Sequence, residues 1–248
     1  MKDLPKNRFK AALTAMQLQR GIWCQITDPL VAEMAAGAGF DWMLLDTEHA
    51  PLEAPTVLAL LQAVAPYPVS ALVRPRVLDV ALIKKLLDHG AQTILVPMIQ
   101  NADEAALAVA ATRYPPRGIR GVAGATRAAG FGWIKDYHQR AHEETCLLVQ
   151  VETRAALDQI EAIAAVEGVD GIFIGPADLA ASLGHPGNPG HPEVVTAILA
   201  AIRRIRAAGK PPGILTTDAA LYEAAIEAGA VFVSKTIDLL ALRDALKP

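Results

Sequence analysis

Aromatic residues are scarce in this chain, only 5% of 248 positions, so the interior must be built mainly from Ala, Val, Ile and Leu. That composition suits a packed α/β domain better than a β-sandwich. Only two cysteines occur, Cys24 and Cys146. They lie far apart on expected core strands and read as reduced, buried thiols of a cytoplasmic protein rather than a disulfide framework. No apolar run approaches 18 residues, so no membrane span is expected. The N-terminal Met1-Lys2-Asp3-Leu4-Pro5-Lys6 lacks the apolar segment of a signal peptide. Basic residues are scattered and the formal net charge is −3, which argues against a nucleic-acid surface. No linker or low-complexity tract interrupts the chain.

Apolar residues make up 52% of the sequence, enough to fill a substantial core. Strand and helix patterns alternate throughout. Continuous apolar runs at 21–26, 42–46, 69–73, 93–97, 147–151, 171–174, 213–215 and 231–234 have the character of strands buried on both faces. Ala- and Leu-rich helical patterns fall near 29–37, 53–65, 79–88, 102–112, 154–166, 192–208, 218–228 and 238–246, and a further helix at about 6–18 precedes the first strand. Eight β-α units predict an α/β fold of the (β/α)8 TIM-barrel type with an extra N-terminal helix, as one domain over 1–248. A doubly wound open sheet is the alternative, and the strand count argues against it. Asp28-Pro29 supplies a helix N-cap followed by proline at the first helical position. Gly90, Gly168 and Gly229 stand where a left-handed helix cap is useful. The irregular stretch 113–135 carries five glycines and Arg113, Arg117, Arg120 and Arg127, and is expected to cover the substrate as a loop following strand four.

Barrel active sites form at the C-terminal ends of strands, so polar residues there are the first candidates. Glu152 closes Leu147-Leu148-Val149-Gln150-Val151, and Asp178 follows Gly171-Ile172-Phe173-Ile174-Gly175-Pro176-Ala177. Gln150 and Glu152 are two apart and share a face. Glu152 and Asp178 are candidate ligands for one divalent cation; surface ion pairing, or helix capping by Asp178, is the structural alternative. Oxygen ligands suit Mg²⁺ or Mn²⁺ better than Zn²⁺. After strand two come Asp46, Thr47, Glu48 and His49. His49 is a candidate general base, with Asp46, Glu48 and Asp88 as candidate carboxylates to orient its ring. Arg74 follows strand three and offers a cation for a carboxylate or a developing enolate oxygen. The turn at Gly175-Pro176-Ala177-Asp178 presents N–H groups that a carboxylate can occupy. Lys235 near strand eight is a weaker candidate for Schiff-base chemistry. His89, His138, His142, His185 and His191 fall outside strand ends and read as ordinary polar residues.

Together these residues resemble the 4-hydroxy-2-oxoheptane-1,7-dioate aldolase family of metal-dependent pyruvate aldolases. The similarity runs from about residue 20 to 240. It is carried by Asp41-Trp42 through Asp46-Thr47-Glu48-His49-Ala50-Pro51, by Arg74-Pro75, by Gly90-Ala91-Gln92-Thr93 through Val96-Pro97-Met98, and by Arg113-Tyr114-Pro115-Pro116. It is strongest in Gln150-Val151-Glu152, in Val169 through Leu179, and in Gly190-His191-Pro192-Glu193-Val194. The resemblance implies a barrel, usually a hexamer, that makes or breaks 4-hydroxy-2-oxo acids from pyruvate or hydroxypyruvate and an aldehyde. It implies that Glu152 and Asp178 bind the divalent metal (Mg²⁺, Mn²⁺ or Co²⁺) with no organic cofactor, and that Gln150, Ala177 and Asp178 line the pyruvate site. It further implies His49 as general base, Asp88 as its partner, and Arg74 as transition-state stabiliser. Thr216-Thr217 and Ser234-Lys235-Thr236 depart from the pattern in being more polar, which bears on the acceptor aldehyde. The nearest rival reading is another enzyme on the same frame, a citryl- or malyl-CoA-type lyase, for which the chain is short and no extra basic segment offers a CoA site; a rival of another class is a non-catalytic protein that holds a 2-oxo acid and metal. A pure carboxylate binder has use for Arg74 but none for a base at His49.

Overall fold

The computed structural model describes residues 3–247. Eight parallel strands close into a barrel in sequence order. They are β1 (Gln19–Cys24), β2 (Trp42–Asp46), β3 (Ser70–Arg74), β4 (Thr93–Val96), β5 (Cys146–Val151), β6 (Gly171–Ile174), β7 (Pro212–Leu215) and β8 (Phe232–Ile237). Every expected strand is present, with ends displaced by a few residues. The helices are α1 (Arg8–Thr14), α2 (Pro29–Ala36), α3 (Ala54–Val64), α4 (Val80–Asp88), α5 (Ala102–Thr112), α6 (Tyr137–Glu144), α7 (Arg154–Asp158), α8 (Ile160–Ala164), α9 (Pro176–Ser182), α10 (Pro192–Ala207), α11 (Ala219–Glu227) and α12 (Asp238–Ala245).

Alternation along each strand divides the apolar residues into two cores. Residues such as Met43, Leu45, Ile94, Val96, Val149 and Val151 point outward and pack beneath the helices. Trp23, Trp42, Leu44, Leu72, Leu95, Leu148, Phe173 and Phe232 point inward, and Phe9 and Leu13 of α1 join them. Five of the twelve aromatics, Phe9, Trp23, Trp42, Phe173 and Phe232, therefore share the inner core. Phe9 meets Trp42 and Phe232 edge-on at centroid separations of 6.2 and 5.8 Å, so α1 plugs the N-terminal end. Room for Trp42 comes from Gly21, where a Cβ would lie 2.1 Å from the indole ring. Cys24 and Cys146 are free and buried, as expected.

Local signals account for most boundaries. Asp28 caps α2 by accepting from the Leu30 N–H at 2.8 Å, with Pro29 at the first helical position. Gly90, Gly168 and Gly229 all adopt positive φ, the left-handed turn expected of them. The expected helix 154–166 divides at Gln159, whose φ of −102° and ψ of 6° separate α7 from α8. Helix α6 has a polar sequence with no apolar stripe to announce it; burial of Tyr137 and Ala141 anchors it.

The stretch 113–135 does not cover this chain's own barrel mouth. It follows helix α5 rather than strand β4, and a helix that returns antiparallel to its strand delivers the chain to the N-terminal end. Its contacts agree: Arg127 Nη1 donates to the His89 carbonyl at 2.8 Å, and the Ala128 N–H donates to the Asp88 carbonyl at 3.2 Å, both at the C-terminal end of α4. A cavity of about 710 Å³ at this N-terminal end is lined by Lys6, Arg8, Tyr67, Gln92, Arg127 and Tyr137 among others, and contains none of the candidate catalytic residues at the mouth.

Candidate active site

Strand alternation carries Gln150 inward on β5 and Glu152 one step beyond it, both almost fully buried. Two donors hold the Glu152 carboxylate. The Gln150 Nε2–H bonds Oε2, and the Met98 N–H bonds Oε1 at 2.8 Å. Met98 is a non-glycine residue with φ of 55°, a conformation uncommon outside glycine, and in it the N–H reaches across from the exit of β4. Gly175 is required opposite: a Cβ there would sit 2.3 Å from Glu152 Oε2. Asp178 lies in the first turn of α9, whose N-cap is Gly175, so Asp178 is not the cap. Ala177 occupies the same turn.

Register places Asp46 of β2 directly beside Arg74 of β3. The guanidinium grips this fully buried carboxylate with two bonds, Nε to Oδ1 at 2.9 Å and Nη2 to Oδ2 at 2.7 Å. Trp23 Nε1 and Gln25 Nε2 also donate to Oδ2, at 3.2 and 3.3 Å, while the Glu48 N–H donates to Oδ1 at 3.0 Å. Burial opposes the charge of Asp46, but the bonds and charge of Arg74, then Trp23 and the Glu48 N–H, outweigh it and hold its pKa below the usual carboxylate range. The guanidinium also lies over the Trp23 ring, 4.8 Å from its centroid. On the other side Glu48 Oε2 lies 2.8 Å from Arg74 Nη1, an ion pair out of line for a hydrogen bond.

Arg74 and Asp46 cancel in charge, leaving Glu48, Glu152 and Asp178 together. Burial pushes the Glu152 pKa up to about 7; the Gln150 and Met98 bonds oppose that rise, and the charges of Asp178 and Glu48 add to it. Glu48 is likewise raised, by burial first, with Asp46 and Asp178 adding and Arg74 and His49 opposing. Gln150 turns its nitrogen to Glu152, which leaves its Oε1 buried without a partner. Asp178 and Glu48 lie close enough to act electrostatically on Glu152, and with the orphaned amide oxygen they offer oxygen donors of the kind a hard divalent cation or its water ligands take, without the three carboxylates converging within 4.8 Å of one another.

His49 stands at the rim. Its ring is largely exposed and its Nε2 lies 3.9 Å from Glu48 Oε2. Asp88 is not its neighbour within one chain. It ends α4, the helix that carries the chain from the exit of β3 back to the N-terminal end, and its Oδ1 accepts from Arg120 Nη2 at 2.7 Å. Lys235 is exposed and its ammonium lies over the Tyr222 ring of α11, 5.3 Å from the centroid, which turns it toward the helical layer. The polar residues of β7 and β8 are committed locally: Thr216 Oγ1 accepts from the Asp218 N–H at 3.2 Å, and Ser234 Oγ donates to the Thr236 carbonyl at 3.1 Å. A second cluster, His185, His191 and Glu193, brings its ligand atoms within 4.8 Å of one another. Its imidazoles stack at 3.5 Å with only 17° between planes, so their lone pairs do not converge on one ion, and Glu193 already pairs with Arg154 and His185.

Sequence patterns located Glu152, Asp178, Gln150, Ala177, Arg74 and His49 at the mouth. They did not reveal Met98, Trp23, Gln25 or the pairing of Asp46 with Arg74. The inward periodicity Gly21, Trp23 on β1, continued to Gln25 just past its end, was the available signal for Trp23 and Gln25.

A closed (β/α)8 barrel with buried carboxylates and a guanidinium at its C-terminal mouth defines a barrel enzyme whose chemistry lies where the strands end. The chain belongs to the HpcH/HpaI aldolase/citrate lyase family, which matches residues 19–245, and is a carbon–carbon lyase. It is 58% identical over 243 residues to a hydroxypyruvate/pyruvate aldolase of Sagittula stellata, covering 98% of this chain and 96% of that one. It is 55% identical to a 4-hydroxy-2-oxo-heptane-1,7-dioate aldolase of Klebsiella pneumoniae subsp. pneumoniae, covering 94% and 88%. The crystal structure of a family protein from Burkholderia cenocepacia superposes with a TM-score of 0.92 at 40% identity, covering 97% of this chain and 98% of that one.

Proposed function

We propose that this enzyme reversibly cleaves 4-hydroxy-2-oxo acids to pyruvate or hydroxypyruvate and an aldehyde, using a divalent cation held by Glu152 and Asp178. The observation that carries the reading is the concentration of Glu48, Glu152 and Asp178 beside an anchored Arg74, with burial and mutual repulsion raising Glu152 to about 7. The cation, Mg²⁺ or Mn²⁺ by its oxygen donors, supplies Lewis-acid polarisation of the 2-oxo acid when bound.

The chain's own residues supply the rest. Gln150 and the Ala177-Asp178 turn bind and orient the 2-oxo acid. Asp46 and Trp23 fix the guanidinium of Arg74, and protons remain on both of its terminal nitrogens for the oxygen that gains charge during cleavage. Such preorganised donors need no reorientation as the charge develops. His49 removes the proton of the 4-hydroxyl, the C3–C4 bond breaks and the aldehyde leaves, the bond's electron pair passing to an enolate whose oxygen faces Arg74; a proton returned to C3 then gives the 2-oxo acid, and addition is the reverse. A positioned base of this kind contributes on the order of 10²–10⁴-fold. Asp88 serves His49 from a second copy of the chain, since within one chain it belongs to the opposite end of the barrel. Exposed Leu30 and Met34 on α2 and Leu239 and Leu242 on α12 support association, as a homo-oligomer that the family resemblance makes a hexamer. The free buried thiols fit a cytoplasmic setting, and no described helix is long and apolar enough to cross a membrane.

Retro-aldol assays after chelation test the reading. Activity should vanish and return with Mn²⁺ or Mg²⁺. Full activity in thoroughly chelated enzyme, with borohydride trapping pyruvate on Lys235, contradicts it.

A further inference from the structure

Gln25 is a polar side chain at the barrel mouth to which the reaction above assigns no task. It follows β1, two residues after the inward-facing Trp23, and is partly exposed. Its backbone N–H is pinned by both carboxylate oxygens of Asp238 at 3.0 Å, which joins the exit of β1 to the start of α12 and fixes where the side chain begins. Its Nε2 donates to Asp46 Oδ2 at 3.3 Å.

That bond decides the amide's orientation. Buried beside Arg74, Asp46 is a carboxylate with lone pairs only, so the nitrogen of Gln25 must face it and the oxygen must face away. Gln25 Oε1 has no partner among the described residues. An amide oxygen held in place with free lone pairs accepts hydrogen bonds and repels other acceptors, so the complementary substrate atom is a hydroxyl. Its position selects which hydroxyl. Gln25 Nε2 and Arg74 Nη2 share one oxygen of Asp46, and therefore stand side by side. If Arg74 attends the oxygen on C2, its neighbour attends a substituent on one of the two adjacent carbons; C1 carries only carboxylate acceptors, which Oε1 repels, so the substituent is the one on C3.

We propose that Gln25 is a specificity-determining residue whose Oε1 accepts a hydrogen bond from the 3-hydroxyl of a hydroxypyruvate-class nucleophile. The inference rests on the aldolase reading above and deepens it. Pyruvate presents a methyl group at C3 and leaves Oε1 to water; hydroxypyruvate presents a donor. A net hydrogen bond of this kind is worth a factor of roughly 3–10 in relative kcat/KM.

The test is steady-state kinetics of wild type, Gln25→Ala and the similarly sized apolar Gln25→Met, with hydroxypyruvate and with pyruvate against one aldehyde lacking hydroxyl groups. Both variants should lower kcat/KM for hydroxypyruvate ~3–10-fold more than for pyruvate. An equal loss with both nucleophiles makes Gln25 only a prop for Asp46 and Arg74, and overturns the proposal. So does an unchanged ratio in both variants, or a change in selectivity that appears only among hydroxylated aldehydes. Wild-type enzyme that turns over neither nucleophile overturns the aldolase reading itself, an outcome separate from these.

Discussion

Replacing Glu152 by Gln separates the cost of its charge from the shape of its side chain. Gln retains an oxygen to accept from the Met98 N–H and nearly the same volume, and removes the ionisation. Burial, Asp178 and Glu48 raise Glu152 to about 7 from an ordinary 4.5. Its folded pKa exceeds its unfolded one, so the folded state binds more protons between those values, and the stability of cation-free enzyme falls as pH rises from about 4.5 through 7. With each pKa unit equal to about 1.4 kcal/mol, ionisation at pH 8 costs at most on the order of 3 kcal/mol. That corresponds to several degrees of melting temperature in a chain of this size. Cation-free Glu152→Gln should therefore melt above wild type at pH 8 and level with it at pH 4. In wild type, Mn²⁺ should reverse the loss at pH 8, and its affinity should fall as pH drops below 7, because the cation must displace a proton. The assay is thermal unfolding by circular dichroism across pH 4–8, with and without Mn²⁺. A wild-type melting temperature that rises between pH 5 and 8 without cation, together with a variant no more stable than wild type at pH 8, would refute the argument.

Arg74→Ala should lower kcat by about 10²–10³-fold and also lower the melting temperature, because it leaves the buried Asp46 carboxylate without its paired bonds; Arg74→Lys should recover only part of both, since an ammonium lacks the planar fork that grips Asp46, and near-normal kcat in either folded variant would confine Arg74 to holding Asp46. His49→Ala should bind Mn²⁺ and pyruvate almost normally, by equilibrium titration, yet cleave 4-hydroxy-2-oxo acids slowly; loss of Mn²⁺ binding with retained cleavage would move His49 into the metal shell. Asp88→Asn should show a milder defect of the same kind. Mixing His49→Ala with Asp88→Asn chains after dissociation and reassembly should regenerate roughly a quarter of the sites if Asp88 acts across an interface between copies; no recovery in verified mixed oligomers would confine its role to Arg120.

Much of the barrel was legible because local rules govern it. Strands buried on both faces read as continuous apolar runs, Asp28-Pro29 and the post-helix glycines punctuate as their backbones demand, and eight such units leave few ways to close. The positions of Glu152 and Asp178 at the mouth were legible too: Glu152 directly follows a buried parallel strand, where a polar residue has no packing role, and Asp178 lies in the first helical turn that the Gly175-Pro176 punctuation after β6 announces. Tertiary structure alone decided the partners. Asp46 pairs with Arg74 through the register of β2 on β3, and no spacing along one strand encodes the register between two. Met98 donates to Glu152 from another strand's exit. Helix α6 owes its existence to the burial of two residues rather than to a periodic pattern. Asp88 and the stretch 113–135 lie at the opposite end of the barrel from His49, because a helix reverses the direction of the chain and the sequence records only order, not which end of the barrel each residue reaches.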